Sequence, residues 1–547
     1  MKFISCRGRG LGDSARYTFE EAVLAGYAAD GGMLVPERYP RLLPSTLTAW
    51  SALSYAEIVV EVLALYAEEG SMSKAEVVRI VREALSEERF TSGPGEGAVP
   101  LRDVRVADLP RDPLTIAELW HGPTAAFKDL GLQVLGRVLS YFLKRSAKRS
   151  VLIVGTSGDT GSAAIECVRG LPNIHIIVLY PIGRVSHVQE LQMTRRAKEP
   201  NVHLIAVEGT SDDLDVPCNE VFGDAAFKTR HGIGSINSIN IVRVIVQAAH
   251  HIYCAINKAK LAGSEHKPVH IIAPTGAAGN VVSGLWARAM GAPIALIAAV
   301  NENDVFANFV QRGVLHVNPR GAAPTNTPSM DIVVPYNVER ILHLISGGDC
   351  DRTRAWIEEF LSTGHLQLPP RYAARLRGAP DPASTHDPSL VLGLDAFVVT
   401  QGEVERTMER VYRASGGTYL LDPHTAVGVA AFEEALRRVS GSGVSGSASS
   451  FAVAAREGRV VCLACAHVAK FAPTLSAALG VSVPDAVALI AKVDGSRYRN
   501  VKTVLALQTE SSRPAPILFR KAEQKEWGAQ LRGIVGALAW PQPQSRL

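Results

Sequence analysis

Five short, nearly continuous apolar runs, at 151–154, 175–180, 203–207, 269–273 and 294–300, constrain the fold more than any other feature of this chain. They lack the polar–apolar alternation of a strand wetted on one side, so they predict strands covered on both faces. Helical segments separate them, and strand, glycine turn and helix recur in that order. That pattern predicts an α/β architecture built on one or two open parallel sheets. The run at 460–465 reads as one more buried strand.

Around this body, residues 1–95 read as a largely helical domain. Apolar residues fall at helical spacing over 54–66 and 73–85, each behind a serine suited to an N-cap. The turn formers at 91–97 mark a boundary, and the main body is expected over 96–480. Within it, the Pro-rich 317–336 and arginine-dotted 366–388 stretches predict inserted loops or a small lobe over about 317–395. A second insertion is expected over 438–456, where the Ser/Gly-rich 440–450 run should be a flexible surface excursion. Residues 481–547 form a C-terminal extension, and no internal repeat is visible.

Two of the strands run into glycine-rich turns that open helices. The first contains Gly155, Thr156, Ser157, Gly158, Asp159 and Thr160, and the second Gly276, Ala277, Ala278, Gly279 and Asn280. Backbone amides in such turns converge on an anion where the helix dipole also favours negative charge. The first turn spaces its glycines as G-x-x-G-x-x-G and lacks an acidic ribose partner, which argues against a dinucleotide, and no Walker lysine follows either turn. Lys128 stands alone among small, apolar and turn-forming residues after the apolar run 114–120. An amine in a partly dry pocket loses proton affinity and becomes able to form a Schiff base with an aldehyde.

Bulk properties narrow the partners. The 547 residues are 47% hydrophobic and 20% charged, with a net charge of +4 and scattered basic residues, so nucleic acid is not the expected partner. No apolar run nears the roughly 20 residues of a membrane span, and the opening residues lack a signal-peptide core; a cytoplasmic protein is expected. Seven scattered cysteines do not form a disulfide framework. Cys462 and Cys465 form the one Cys-x-x-Cys pair, but no second pair matches it, so two core thiols are expected and no metal.

Taken together, these segments resemble the threonine synthase family, pyridoxal-phosphate enzymes of fold type II (tryptophan synthase β-like), in which two open parallel-sheet lobes accompany an N-terminal helical domain. The similarity begins at 19–36, with Asp30, Gly31 and Gly32 inside it, and continues through 121–131 and 155–164. It takes in 183–186, 192–193, 207–213, 237–240, 301–304, 329–331, 422–428 and 466–471. The resemblance implies pyridoxal 5'-phosphate as cofactor, Lys128 as its Schiff-base lysine, and Gly276, Ala277, Ala278, Gly279 and Asn280 as the loop holding its phosphate. Thr156, Ser157, Asp159 and Thr160 then lie where the substrate carboxylate and cofactor rim are expected. Arg184, Ser186, Asn237, Ser238 and Asn240 are the candidates for the substrate's own phosphate, and each of these supplies hydrogen-bond donors.

The family's reaction converts O-phospho-L-homoserine and water to L-threonine and phosphate; the expected partner is a small phosphorylated amino acid, bound by a monomer or homodimer. Departures point elsewhere. The alanine pair Ala277 and Ala278, with 334–339, looks more like the phospho-lyase branch, which releases 2-oxobutyrate, ammonia and phosphate. Asp422 to Thr425 and Ala466-His467 look synthase-like. Cys465 stands where the family places a threonine toward the pyridine nitrogen, and a thiol is a weaker partner. A cofactor-binding protein without turnover is a further alternative. Four nearby polar residues also have structural readings. Asp422 fits a helix cap with Pro423 at the first helical position, His467 a satisfied core histidine, His121 a turn near the site, and Lys470 a helix face outside the site.

Overall fold

The computed structural model describes residues 1–8, 16–67, 70–93, 95–106, 114–261, 263, 267–378, 392–441, 447–509 and 514–540. The five apolar runs form strands as their composition dictates, but they divide between two sheets. Among the described residues the smaller sheet orders its strands Ile517–Phe519, Val202–Val207, Ile174–Pro181, Ser150–Gly155 and Ile233–Gly234, all parallel. The larger orders Leu394–Val398, Ile294–Val300, Val269–Pro274, Val460–Ala464 and Leu114–Glu118 in parallel, with Leu101–Val104 antiparallel at its edge. Ile174–Pro181 and Val269–Pro274 are buried along their whole length, as strands flanked by helices on both faces must be. The expected α/β architecture with two parallel-sheet lobes is the one adopted.

The N-terminal helices follow their capping signals. Ser54 and Ser73 each accept a hydrogen bond from the backbone N–H of Glu57 and Glu76, whose carboxylates accept in turn from the N–H of Ser54 and Ser73, closing two capping boxes. Helix Tyr55–Tyr66 buries Ile58, Val59, Val62, Leu63 and Tyr66, a stripe that packs on the long helix Ile241–Leu261. A short antiparallel pair, Phe3–Ser5 with Leu34–Pro36, accompanies these helices. Arg340, fully buried, donates to the carbonyls of Leu34, Ser238 and Ile239 and so ties this region to the centre of the molecule.

Much of 317–395 is helical, with Val338–Ser346, Cys350–Thr363 and Pro370–Arg377, and His365–Gln367 pairs with Val314–His316. Residues 379–388 of the arginine-dotted stretch, and 442–446 of the Ser/Gly-rich run, lie outside the described residues. The C-terminal segment returns to the smaller sheet through Ile517–Phe519, and its helix Trp527–Gly536 packs on Asp215–Gly223. Among the described residues no single helix is long and apolar enough to cross a membrane.

Candidate active site

A cleft opens where the carboxyl ends of strands from both sheets face each other, the place where open α/β sheets bind ligands. Strand Ser150–Gly155 delivers the first glycine turn to one wall, and Val269–Pro274 delivers the second to the other. Lys128 lies on the cleft as the first residue of helix Lys128–Arg145. The turn before it is laced to the segment after strand Val460–Ala464. Phe127 N–H donates to Cys465 O at 2.7 Å, and His467 N–H donates to Ala125 O at 3.1 Å. This lacing brings Lys128 and Cys465 to the same cleft.

The second turn is shaped for close approach. Ala278 adopts the left-handed conformation, φ 63°, at the N-cap of helix Gly279–Ala289 and supplies no side-chain cap. First-turn amides are thereby left for another acceptor, and an anion suits them. A Cβ on Gly276 would stand 3.0 Å from both Cα and O of Met330, and one on Gly279 would stand 3.0 Å from Ser238 Cβ. Gly276, Ala277, Gly279 and Asn280 line the cleft, and Ala278 sets the backbone behind them. Asn280 Oδ1 receives His250 Nε2 at 2.9 Å and His251 Nε2 at 3.0 Å, and burial brings His251 down to about 4, so that imidazole is neutral.

The first turn presents Thr156, Ser157, Asp159 and Thr160 to the same space. Thr156 Oγ1 accepts from the amides of Gly158 and Gly161 at 3.0 Å each, bending the chain into helix Asp159–Val168. Asp159 Oδ1 pairs with Lys470 Nζ at 2.5 Å and accepts from Gln189 Nε2 at 2.9 Å; Oδ2 accepts from Ser329 Oγ at 3.0 Å. Burial alone would raise Asp159, but Lys470, Lys128 and His424 outweigh it and hold the carboxylate well below its usual range. Removal from water dominates at Lys128 and brings the amine from 10.5 to about 8. Arg243 and Lys470 push the same way, against Asp159 and Cys465. Burial, reinforced by Asp422 and Cys462, raises Cys465 far above its usual value, so the thiol is protonated.

The candidates for a substrate phosphate separate into two groups. Asn237 and Ser238 line the cleft, with Ser238 Oγ donating to Tyr336 Oη at 3.3 Å and receiving Asn337 Nδ2 at 3.0 Å. Arg184, Ser186 and Asn240 do not line it, a correction to the sequence reading. Ser186 is consumed as the N-cap of helix His187–Thr194, Arg184 is exposed, and Asn240 is buried with its amide on Val23 O at 2.9 Å. An arginine does reach the cleft, Arg243, 3% exposed, with Nη1 donating to Ile236 O at 3.2 Å. Arg243, Gln247, His250 and His251 fall at i, i+4, i+7 and i+8 of the otherwise mostly apolar first four turns of Ile241–Leu261. That polar stripe on a buried helix was the sequence signal for them.

Lys470 is buried beside the cleft and not on a helix face away from it, because it sits in the short turn Val468–Lys470 and pairs with Asp159. Asp422 caps helix Pro423–Gly441 through the His424 and Thr425 amides, and it also holds His424 Nδ1 at 3.0 Å beside the cleft. His467 pairs with Asp494 at 3.2 Å, and His121 pairs with Glu118 at 2.9 Å and stacks on Trp120. Cys462 is a buried free thiol in its strand.

Residues 2–85 match the family model described as "Threonine synthase N terminus". The chain is 41% identical over 430 residues to threonine synthase-like 2 of Mus musculus, covering 78% of this chain and 82% of that one. The chain belongs to the threonine synthase family. Threonine synthase of Saccharomyces cerevisiae is 32% identical over 487 residues, covering 84% of this chain and 86% of that one. Among solved structures, the PLP-bound threonine synthase from Brucella melitensis superposes with a TM-score of 0.75 at 31% identity, covering 98% of this chain and all of that one.

Proposed function

We propose that this chain is a pyridoxal-phosphate-dependent lyase that expels phosphate from O-phospho-L-homoserine and adds water to give L-threonine. The observation that carries the reading is one cleft holding an amine near pKa 8 opposite an uncapped helix N-terminus. The residues fit the cofactor. Gly276, Gly279 and the first-turn amides suit its phosphate, and Lys128 suits its aldehyde. When bound, the cofactor supplies an electron sink for the bonds at the substrate's Cα.

The chain's own part is positioning and proton transfer. Lys128, largely neutral above pH 8, takes the proton from Cα and returns one along the carbon chain. The turn 156–160 receives the substrate carboxylate at a helix N-terminus, where Lys470 has already neutralised Asp159. Arg243 faces the cleft with its buried Nε lacking a partner among the described residues, and with Ser238 and Asn237 it takes the leaving phosphate.

A second reading, elimination to 2-oxobutyrate, ammonia and phosphate, is favoured by one specific observation. Identity to threonine synthase-like 2 relatives is 39–41%, against 32–34% to threonine synthases. Incubation with O-phospho-L-homoserine, followed by separation of amino acid from keto acid, tests both. Threonine supports the first reading and 2-oxobutyrate as sole product replaces it with the second. Absence of phosphate release refutes both.

A further inference from the structure

Two lysines approach one carboxylate at the floor of the cleft, and only one of them is paired. Lys470 Nζ lies 2.5 Å from Asp159 Oδ1 with its side chain wholly out of solvent, and it donates to Thr124 O at 3.0 Å. Lys128 Nζ makes no ion pair or hydrogen bond with any of the described residues and lies over the Phe127 ring, 5.7 Å from its centroid. Yet Lys128 is close enough to Asp159 for each to shift the other's ionisation. A buried carboxylate is tolerated when a cation pairs with it and further donors satisfy its remaining lone pairs. Here Lys470 and Gln189 share Oδ1 and Ser329 donates to Oδ2, so both oxygens of Asp159 are engaged without Lys128.

The same lysine also joins separate parts of the fold. It stands in the turn after Val460–Ala464 of the larger sheet. Its carboxylate partner opens a helix from the smaller sheet, and its carbonyl partner, Thr124, belongs to the turn leading into Lys128. Thr124 is itself fixed, its amide and hydroxyl both donating to Asp129 at 2.8 and 2.9 Å.

We propose that Lys470 is a positioning residue: it takes the Asp159 carboxylate so that Lys128 stays free of an ion pair and available to react. Without that cation, Lys128 is the remaining lysine acting on Asp159, beside His424, and the uncompensated carboxylate would hold the reactive amine protonated. The charged and titratable groups facing Lys128 are Asp159, Arg243, Lys470 and Cys465, and those facing Asp159 are Lys470, Lys128 and His424. This inference rests on the reading of Lys128 as the reactive amine. Its test needs no turnover, so a wrong substrate leaves the result interpretable.

The test is trace acetylation of Lys128 in the full chain freed of cofactor, followed against pH by peptide mass spectrometry. Lys470→Met is expected to move the labelling midpoint up by at least about one pH unit, because Asp159 then turns to Lys128. Lys470→Arg, which restores a cation, is expected to stay at the wild-type midpoint, and the double change Lys470→Met with Asp159→Asn to bring it back down. A folded Lys470→Met chain with an unmoved midpoint overturns the proposal. Should Lys470→Met fail to fold, Asp159→Asn decides: it must lower the midpoint below wild type, and an unchanged midpoint again overturns the idea.

Discussion

Replacing Lys128 by methionine is expected to stabilise the folded chain at neutral pH while abolishing its chemistry. The amine falls from 10.5 to about 8 on folding, a drop of about 2.5 units. At about 1.36 kcal/mol per unit, the protonated amine costs the fold up to about 3.4 kcal/mol. Lys128 is partly exposed to the cleft, and water there screens the penalty, so a gain of about 1–3 kcal/mol is the working figure. Methionine keeps the length of the side chain and removes the charge, and Asp159 is not orphaned because Lys470 still holds it. The pH dependence follows from which state holds the proton. Below pH 8 both folded and unfolded chains carry it, and the wild type bears the whole cost. Between about 8 and 10.5 the folded chain releases the proton while the unfolded chain keeps it, so wild-type stability climbs toward that of the variant. Urea unfolding of both cofactor-free proteins, followed by tryptophan fluorescence at about pH 7 and about pH 10, measures the difference. No gain at neutral pH, or an equal gain at both, would falsify the reasoning.

Three further changes test the cleft and its supports. Arg243→Gln removes the buried arginine that, among the described residues, reaches the cleft. It should lower kcat/KM for O-phospho-L-homoserine by roughly 100-fold, mainly through KM, with the circular dichroism spectrum unchanged. Gly279→Ala places a methyl group 3.0 Å from Ser238 Cβ and 3.3 Å from Asn337 Nδ2. Overpacking of about 1–3 kcal/mol should weaken pyridoxal-phosphate binding by roughly tenfold or more in equilibrium dialysis; unaltered binding would show that the loop can give way. Arg340→Met strips donors from the carbonyls of Leu34, Ser238 and Ile239 together. A loss of about 3–5 kcal/mol is expected, read as a lower thermal midpoint, and a midpoint within experimental error of wild type would show that the N-terminal region needs no such tie.

What the sequence made legible divides along physical lines. Local signals were enough wherever a residue's role is decided by its chain neighbours. The serine and glutamate of each capping box lie three residues apart, so Ser54, Glu57, Ser73 and Glu76 announce their helices. Strands covered on both faces are apolar throughout, so their runs stand out. Which sheet each strand joins is not local. The run at 203–207 and the short Ile517–Phe519 become neighbours only through tertiary packing, and three residues carry too little pattern to foresee it.

The same limit governs the cleft. Ser186 looked like a phosphate ligand because serine suits that task, yet an N-cap and an anion site ask for the same hydroxyl, and the cap at Gln189 took it. Lys470 looked like a helix-face residue outside the site. Its burial depends on Asp159, which comes from a different sheet, and no spacing rule connects the two. Arg243 is the instructive case between these. Its partners are distant, but a charged residue followed at helical intervals by Gln247, His250 and His251 inside a buried apolar helix can only face a polar interior or a ligand. Sequence can therefore announce that a polar wall exists on one helix, while the carboxylate or phosphate that justifies it is found only once the fold closes the cleft around it.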